Sequence, residues 1–342
     1  MNIRGREEEV ENLARKLLKG VCRVCRICDG WACAGQMPGM GGIGSGSSFI
    51  ANVEALASYK LNLRTIHSAS RPDISFRLFG HELEMPILVA PVAGTKLNMA
   101  GALSEAELAE AMVGGAAAAG SFAMTGDGPD AEIFETGLAA IVAYEGRGVP
   151  IVKPRPKEQI LAAIRKSEAV KAWAVGVDVD AAGILGMVRV GHPVGPRPVE
   201  EWEEVISSTS LPFILKGIMT PDEAELALEA GAGAIVVSNH GGRVLDHTPG
   251  TAEVLPEIVS AVAGEIPVLV DGGVRSGADA LKMLALGASA VLVGRPMAIA
   301  AVGGGAEAVA SLLKRYADEL RSAMILTGRA SLEEIDSSVL RA

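Results

Sequence analysis

Aromatic residues are scarce in this sequence, and long apolar runs are missing. Only 4% of the 342 residues are Phe, Trp or Tyr, although 49% are hydrophobic and 41 are glycine. The core must therefore consist mainly of Ala, Val, Leu and Ile, a composition typical of parallel strands that are buried on both faces. Because no stretch of about 20 apolar residues is free of interruption, we predict no membrane span.

Basic runs and targeting signals are missing as well. The formal net charge is −10 and no Lys/Arg-rich segment occurs, so neither nucleic acid nor an anionic membrane surface is expected as a partner. Residues 1–20 alternate charged and apolar side chains at helical spacing and lack the apolar core of a signal peptide. We therefore expect a cytoplasmic protein.

What the chain does contain is a series of short apolar runs, most of them rich in β-branched residues, with helical patterns between them. The runs are 86–92, 121–128, 150–154, 172–180, 212–217, 234–242, 267–273 and 290–296. Eight such strands alternating with helices predict an α/β fold, a closed TIM (β/α)₈ barrel. No Gly-x-Gly-x-x-Gly follows the first strand, which argues against an open dinucleotide-binding sheet.

The chain is predicted to divide into two parts. Residues 86–342 form the barrel, and residues 1–85 form an N-terminal extension with helical segments, a cysteine cluster and a Gly-rich stretch. That stretch, residues 39–48, is compatible with a mobile loop or with a segment tied down over the barrel mouth.

Charged or polar residues end nearly every predicted strand, where barrel enzymes place their chemistry. In the segment AIVVSNHGGRVLDH, His240 stands where an apolar strand opens to the cleft, a suitable place for a general base. Gly241 and Gly242 allow a ligand to approach the backbone, and Arg243 can bind a carboxylate through two hydrogen bonds. A histidine that is merely hydrogen-bonded at a strand end remains the alternative.

The last two strands carry a second pattern, DGGVRSG and VGRP. Gly272, Gly273 and Gly294 expose backbone N–H groups, and Arg275 and Arg295 add positive charge. Loops after strands seven and eight commonly bind phosphate in such barrels, so we predict a phosphate site. Two tight turns with solvated arginines are the structural alternative.

The segments SNHGGRVLD and DGGVRSGADALKMLALGASAVLVGRP resemble the signature of the FMN-dependent 2-hydroxy-acid oxidase and dehydrogenase family, which includes glycolate oxidase and lactate oxidase. The resemblance is strong over residues 213–334 and looser over 86–180. It implies a flavoprotein oxidoreductase that oxidises a small 2-hydroxy acid to the 2-oxo acid, assembled as a homo-oligomer, a tetramer.

The resemblance also implies roles for matching positions. His240 corresponds to the active-site base, Asp178 to the carboxylate that orients it, with Asp180 as second candidate, and Arg243 to the residue that binds the substrate carboxylate. Lys216 corresponds to the lysine beside flavin N1 and O2. The implied FMN contacts, besides Lys216 and His240, are Pro91, Val92, Ala93, Thr125, Lys153, Ser238, Asp271, Gly272, Gly273, Arg275, Gly294 and Arg295.

Three departures concern the substrate pocket. No tyrosine precedes Tyr59, Lys153 stands where the family has a glutamine, and the arginine expected shortly after strand four is not evident in AAGILGM. Two other functions therefore stay open. One is an FMN-dependent isomerase similar to type 2 isopentenyl diphosphate isomerase, with Lys153 facing a diphosphate. The other is a flavin redox or electron-transfer module that uses the cysteines.

The chain's four cysteines, Cys22, Cys25, Cys28 and Cys33, follow the spacing C-x₂-C-x₂-C-x₄-C. This nearly matches the run that holds an iron–sulfur cluster in bacterial ferredoxins. Zinc, a redox-active dithiol or four reduced structural thiols are the alternatives. A cluster would exchange electrons with FMN and make the protein a dehydrogenase rather than an oxidase that uses O₂.

Overall fold

The fold is described by a computed structural model that covers residues 3–341. Eight parallel strands close into a barrel in chain order, with the last strand paired to the first. They are β1 (Ile87–Val89), β2 (Ala123–Thr125), β3 (Gly148–Val152), β4 (Val175–Asp178), β5 (Phe213–Ile218), β6 (Ala234–Val237), β7 (Val268–Val270) and β8 (Ala290–Val293). The predicted TIM barrel is therefore confirmed.

Helices cover the barrel from outside and connect the strands. They are α1 (Ile3–Leu17), α2 (Ser47–Ser58), α3 (Thr95–Asn98), α4 (Glu105–Ala118), α5 (Ala131–Ala143), α6 (Lys157–Ala169), α7 (Leu185–Val188), α8 (Val199–Ile206), α9 (Pro221–Glu229), α10 (Thr251–Val262), α11 (Gly277–Ala285) and α12 (Arg295–Thr327). Short 3₁₀ turns occupy Trp31–Cys33, Val179–Gly183, Leu332–Glu334 and Ser337–Val339. Local signals start some helices: Ser104 and Glu107 form a capping box at α4.

Side chains of the strands point alternately into the barrel and outward to the helices. The inward residues form a buried apolar layer: Leu88, Met124, Ile151, Ile214, Val236, Leu269 and Leu292. Their neighbours along the strands, such as Val89, Ala123 and Val177, pack against the surrounding helices. This alternation decides which residues reach the two open ends of the barrel.

The N-terminal extension closes both ends. A hairpin of two strands, Phe76–Leu78 and His81–Leu83, packs its apolar side chains against the barrel interior at the N-terminal end. At the opposite end the Gly-rich segment is tied down: Ile43 N donates to Gly242 O at 2.9 Å. Asp246 accepts hydrogen bonds from Ser45 and Ser47. The segment therefore forms part of the site rather than a free loop.

One helix in the described chain, α12, is long and apolar enough to be considered as a membrane span. Half of its most apolar window is buried inside the fold, where α12 packs against α4 and α1. Non-helical backbone at Gly304 and Gly305 also interrupts it. These features are those of a core helix with a kink.

Candidate active site

The floor of the site is a ring of inward-facing residues, each two positions after a member of the apolar layer or, on β4, after Gly176. The ring comprises Ala90, Gly126, Lys153, Asp178, Lys216, Ser238, Asp271 and Gly294. Its small members lie at the C-terminal ends of the adjacent strands β8, β1 and β2. Its polar members lie at the C-terminal ends of β3 to β7. All of them except Ser238 line a cavity of about 590 Å³ at the C-terminal end of the barrel. One side of the floor thus carries only small side chains, and the other side carries charged and polar ones.

The polar side of the floor is a buried ion network. Lys153 Nζ donates to Asp178 Oδ2 at 2.8 Å, and Lys216 Nζ lies 3.2 Å from Asp178 Oδ1 and 3.4 Å from Asp271 Oδ2. Ser238 Oγ accepts from Lys216 Nζ at 3.0 Å and donates to Asp271 Oδ1 at 2.8 Å. Ser238 therefore lies beneath the cavity and fixes the lysine.

Charge pairing outweighs burial in this network. Burial alone raises the pKa of Asp178, but the ammonium groups of Lys153 and Lys216 hold that pKa well below its usual range. Burial likewise lowers the pKa of Lys216, whereas the carboxylates of Asp271 and Asp178 raise it above its usual value. Asp178 and Lys216 are therefore both charged at neutral pH.

His240 lies on the cavity wall in a left-handed backbone conformation, with φ of 58°. Its Nδ1 is 3.1 Å and 3.2 Å from the two carboxylate oxygens of Asp180, and 4.0 Å from Asp178 Oδ1. A carboxylate only accepts hydrogen bonds, so Nδ1 carries the proton of the neutral ring. Nε2, which has no partner among residues 3–341, is then free to take a proton.

This geometry corrects the role expected of Asp178. The carboxylate that orients His240 is Asp180, in the 3₁₀ turn after β4, whereas Asp178 faces inward between two lysines. Asp178, Asp180 and His240 also form the one group of three potential metal ligands within 4.8 Å in the described chain. The lysine ammonium groups already supply positive charge to Asp178.

Arg243 is partly buried and donates to Gly39 O at 2.7 Å, to Gly41 O at 3.1 Å and to Asn98 Oδ1 at 2.8 Å. Burial lowers the pKa of Arg243 to about 10, which still leaves it charged at neutral pH. It lines the cavity and forms no ion pair with any carboxylate in the described chain. A partly buried cation that faces a cavity and has no acid partner indicates an anionic ligand.

Arg275 and Arg295 both lie near the Phe49 ring, with guanidinium carbons 5.8 Å and 3.8 Å from its centre. Arg275 Nε has no hydrogen-bond partner within residues 3–341, and neither arginine is paired with a carboxylate there. Burial, together with repulsion from Arg243 and Arg275, lowers the pKa of Arg295. The N-terminus of α12 adds partial positive charge, so this corner of the cavity fits a phosphate.

The tight packing around these residues requires glycine at two positions. A Cβ on Gly242, which has φ of 74°, would lie 2.4 Å from Phe49 N. A Cβ on Gly241, with φ of 62°, would lie 2.6 Å from Arg295 Nη1. The Gly-Gly pair therefore lets the turn that carries His240 and Arg243 pack directly against the phosphate corner.

Most residues predicted to contact FMN line the cavity: Pro91, Val92, Ala93, Lys153, Lys216, His240, Asp271, Gly272, Gly273, Arg275, Gly294 and Arg295. Ser238 and Thr125, which were also predicted to contact FMN, do not line it. Ser238 lies beneath the cavity and holds Lys216. Thr125 lies on the outer side of its strand. Its hydroxyl points outward to α5, where a Cβ on Gly137 would lie 2.8 Å from it. The reason is strand alternation, which turns Met124 and Gly126 inward and Thr125 outward.

Sequence reasoning missed several residues of the cavity. Arg189 follows α7 and lines the cavity, although the corresponding arginine was expected nearer to β4. Asn98, on α3, holds the guanidinium of Arg243. No local pattern marks either residue, because each reaches the site through the path of its loop.

The arrangement defines a barrel enzyme with an anion corner, a flat floor and a histidine base, and similarity to known proteins assigns its family. Residues 39–187 and 196–342 match the FMN-dependent dehydrogenase family. A 4-hydroxymandelate oxidase from Amycolatopsis orientalis is 34% identical over 329 residues, which cover 85% of this chain and 89% of the relative. An L-lactate oxidase from a Nostoc species is 33% identical over 82% of this chain and 86% of the relative.

Solved structures similar to this chain support the same family assignment. A mandelate oxidase variant with 2-hydroxy-phenylacetamide superposes with a TM-score of 0.78 at 34% identity, over 98% of this chain and 97% of that one. Another variant contains an FMN adduct and superposes with a TM-score of 0.73 at 34% identity, over 92% and 99%. The chain belongs to the FMN-dependent dehydrogenase family, and the predictions of an oxidoreductase with FMN as cofactor are confirmed.

The residues present fit FMN. Arg275, Arg295 and the N-terminus of α12 would hold the phosphate, and Lys216 would place a cation at the ring. A Cβ on Gly294 would reach to 3.7 Å from Ala90 and Val92, so glycine keeps this side of the floor open for a planar group.

Metal binding by the cysteines finds no such support. The family match begins at residue 39, and no three of the four sulfur atoms lie within 4.8 Å of one another in the described chain. The family match therefore gives no support to the predicted zinc or iron–sulfur site, and a single-ion site is not preformed among the described residues.

Inorganic phosphate is expected to raise the melting temperature of the FMN-free protein, because it relieves the repulsion around Arg295. At about 100 times its Kd, phosphate would stabilise by roughly 2.7 kcal/mol. That corresponds to a shift of roughly 4 °C in a thermal melt of a chain this size. Sodium chloride at equal ionic strength is the control, and Arg275→Ala should lose most of the shift. Equal shifts from both salts would contradict the assignment of the phosphate corner.

Proposed function

We propose that the protein oxidises a small 2-hydroxy acid to the corresponding 2-oxo acid. One observation carries this proposal: His240, with a free Nε2, and Arg243, a partly buried cation without an acid partner among residues 3–341, lie on the same turn and line the same cavity. That pair provides a base for the substrate proton and a cation for its carboxylate. FMN, when bound, accepts the electron pair.

Each residue contributes a separate task to this reaction. Arg243 binds the carboxylate and fixes the substrate beside His240, whose Nε2 takes up a proton. Asp180 keeps the imidazole in the required tautomer and stabilises its protonated form. Lys216 provides positive charge for the electron-rich reduced cofactor.

The ion pair of Lys153 favours oxidation over the isomerase alternative. Lys153 Nζ is 2.8 Å from Asp178 Oδ2, and its side chain is only 9% exposed. Its charge is already balanced within the floor, so it offers little attraction to a diphosphate. The names of the relatives, which are 4-hydroxymandelate and lactate oxidases, support the same choice.

The cavity entrance indicates a substrate with an apolar side chain. Five apolar residues from three segments line the cavity: Leu97 on α3, Ile133 on α5, and Ile184, Met187 and Val190 in the segment after β4. Burying an apolar substituent among them would add roughly 25 cal/mol for each Å² removed from water. We therefore expect mandelate-like acids to be better substrates than glycolate.

The test is a visible absorption spectrum of the purified protein under anaerobic conditions, before and after addition of mandelate, lactate or glycolate. Bleaching of the flavin spectrum by one acid would establish both reaction class and substrate. A flavin spectrum that no 2-hydroxy acid bleaches would contradict the proposal.

Arg243→Met is expected to raise KM for the hydroxy acid at least about tenfold, because it removes a charge-assisted hydrogen bond worth roughly 1.5–3 kcal/mol. Arg189 is exposed at the entrance, so Arg189→Met should change KM much less. Steady-state kinetics of both variants check this. Equal effects would mean that the entrance arginine, rather than Arg243, binds the carboxylate.

We also propose a cytoplasmic location and a homo-oligomer, with a tetramer as the expected assembly. The proposal rests on the sequence and on the family resemblance. Light scattering of the purified protein at several concentrations would give the assembly.

A further inference from the structure

The cysteine loop, residues 22–33, is the reactive part of the chain that the proposed function leaves unused. It holds all four cysteines of the sequence, and all four thiols are free. The family match begins after it, at residue 39, so membership of the family assigns it no role.

The four cysteines of the loop lie around the same small cavity. All four cysteines line a single small cavity of about 20 Å³, which Met40, Phe49 and Arg295 close from the barrel side. Val24 N donates to Cys22 Sγ at 3.4 Å, and Arg275 Nη2 donates to Cys28 Sγ at 3.6 Å. Donors directed at sulfur are a regular feature around metal-bound thiolates.

The backbone of the loop is also held in an unfavourable conformation. Val24 is buried and has φ of 47°, a value that β-branched residues rarely adopt. Such a residue persists only where its surroundings fix it, and here it places its N–H on Cys22.

The sulfur atoms are not arranged around a single metal ion. A single tetrahedral zinc ion, with Zn–S of 2.3 Å, requires sulfur atoms about 3.8 Å apart. No three of the four sulfurs lie within 4.8 Å of one another in residues 3–341, although all share one cavity. A site for one zinc ion is therefore not preformed in the described part of the loop.

From the shared cavity, the N–H donors directed at Cys22 and Cys28 and the C-x₂-C-x₂-C-x₄-C spacing, we propose that Cys22, Cys25, Cys28 and Cys33 ligate one iron–sulfur cluster. Arg275 and Arg295 lie beside it and balance the negative charge of the four thiolates.

The position of the loop gives the cluster a task that rests on the proposed function. Arg295 and Met40 line both the cysteine cavity and the large cavity, and Arg275 connects Cys28 to the large cavity. Oxidation of one hydroxy acid releases two electrons and two protons. The electron pair taken by FMN leaves as two single electrons through the cluster, which reduce two molecules of a one-electron carrier protein.

The experiment uses the full-length FMN-containing protein, purified anaerobically and then treated with Fe²⁺ and sulfide. Iron, zinc and acid-labile sulfide are measured, together with the electron paramagnetic resonance spectrum of the reduced protein. We expect iron and sulfide in near-equal amounts in the parent protein. Cys25→Ala should lose most of both, because an exposed ligand is removed without disturbing the arginines.

Ile27→Ala is the matched control, because Ile27 is an exposed apolar residue in the same loop. It should keep the iron. The hydroxy acid should still bleach the flavin of the Cys25→Ala variant at the parent rate. This variant should lose turnover with cytochrome c as a one-electron acceptor. Retained FMN in both variants shows that the fold survives.

Zinc without sulfide, or no metal after treatment with iron and sulfide, would overturn the cluster. So would full cytochrome c turnover in Cys25→Ala. If the cluster is absent while a hydroxy acid bleaches the flavin, only this inference fails. If the cluster is present and no acid bleaches the flavin, the cluster stands and the proposed function fails.

Discussion

Replacing His240 by alanine is expected to lower kcat for the hydroxy acid by about 10²- to 10⁴-fold, the usual contribution of a positioned general base. FMN should remain bound, because the phosphate corner is built from Arg275, Arg295 and α12 and does not depend on the imidazole. Stopped-flow measurement of flavin bleaching would isolate the step in which His240 acts, apart from reoxidation.

His247→Ala provides a matched control. Its side chain is 78% exposed and lies outside the cavity, beside Asp246. The His247→Ala variant should bind FMN, and its flavin should bleach at the parent rate. Turnover of the His240 variant at the parent rate would show that another group takes the substrate proton.

The second large effect separates the two aspartates after β4. Asp178→Asn removes the carboxylate between Lys153 and Lys216 and leaves buried ammonium groups facing a neutral amide. The free energy of unfolding should fall by about 3–5 kcal/mol, the usual cost of breaking a buried ion pair. Urea unfolding, with the FMN content fixed, measures this. Adding Lys153→Met should recover part of the loss, because it removes one of the unpaired charges.

Asp180→Asn should behave in the opposite way. Its carboxylate is closer to solvent and contacts His240, so stability should change little, while kcat falls by about 10²-fold or more through loss of the required tautomer. If Asp178→Asn lowered kcat and left stability unchanged, the assignment of the two carboxylates would be reversed.

The pH dependence of stability provides a further check on Asp178. Its pKa in the folded protein lies below the unfolded value of about 3.9, so the folded state binds fewer protons. Its contribution is therefore fully present above about pH 4 and is lost as the pH falls further. Asp178→Asn should show a correspondingly weaker loss of stability in acid.

Much of the site could be predicted because parallel strands buried on both faces tolerate charge only where they end. Lys153, Lys216, Asp271 and His240 were therefore visible as polar endings of apolar runs. The glycines and arginines after the last two strands were visible for a second reason, since phosphate binding by backbone N–H groups needs that local pattern.

The details depend on three-dimensional packing. Thr125 ends its strand, yet the alternation of side chains along the strand turns it outward. The eight short apolar runs do not by themselves show which residues of each strand face inward. Arg189 and the Gly-rich segment enter the site from loops whose path no local pattern determines.

The sequence by itself determined the barrel, the cofactor site and the residue types available for catalysis, because these follow from periodicity and from short motifs. Only the tertiary structure decided that Asp180, rather than Asp178, orients His240. The two aspartates are close in the chain, and their roles depend on lysines that β3 and β5 bring to Asp178 and on the 3₁₀ turn that carries Asp180 up to the imidazole.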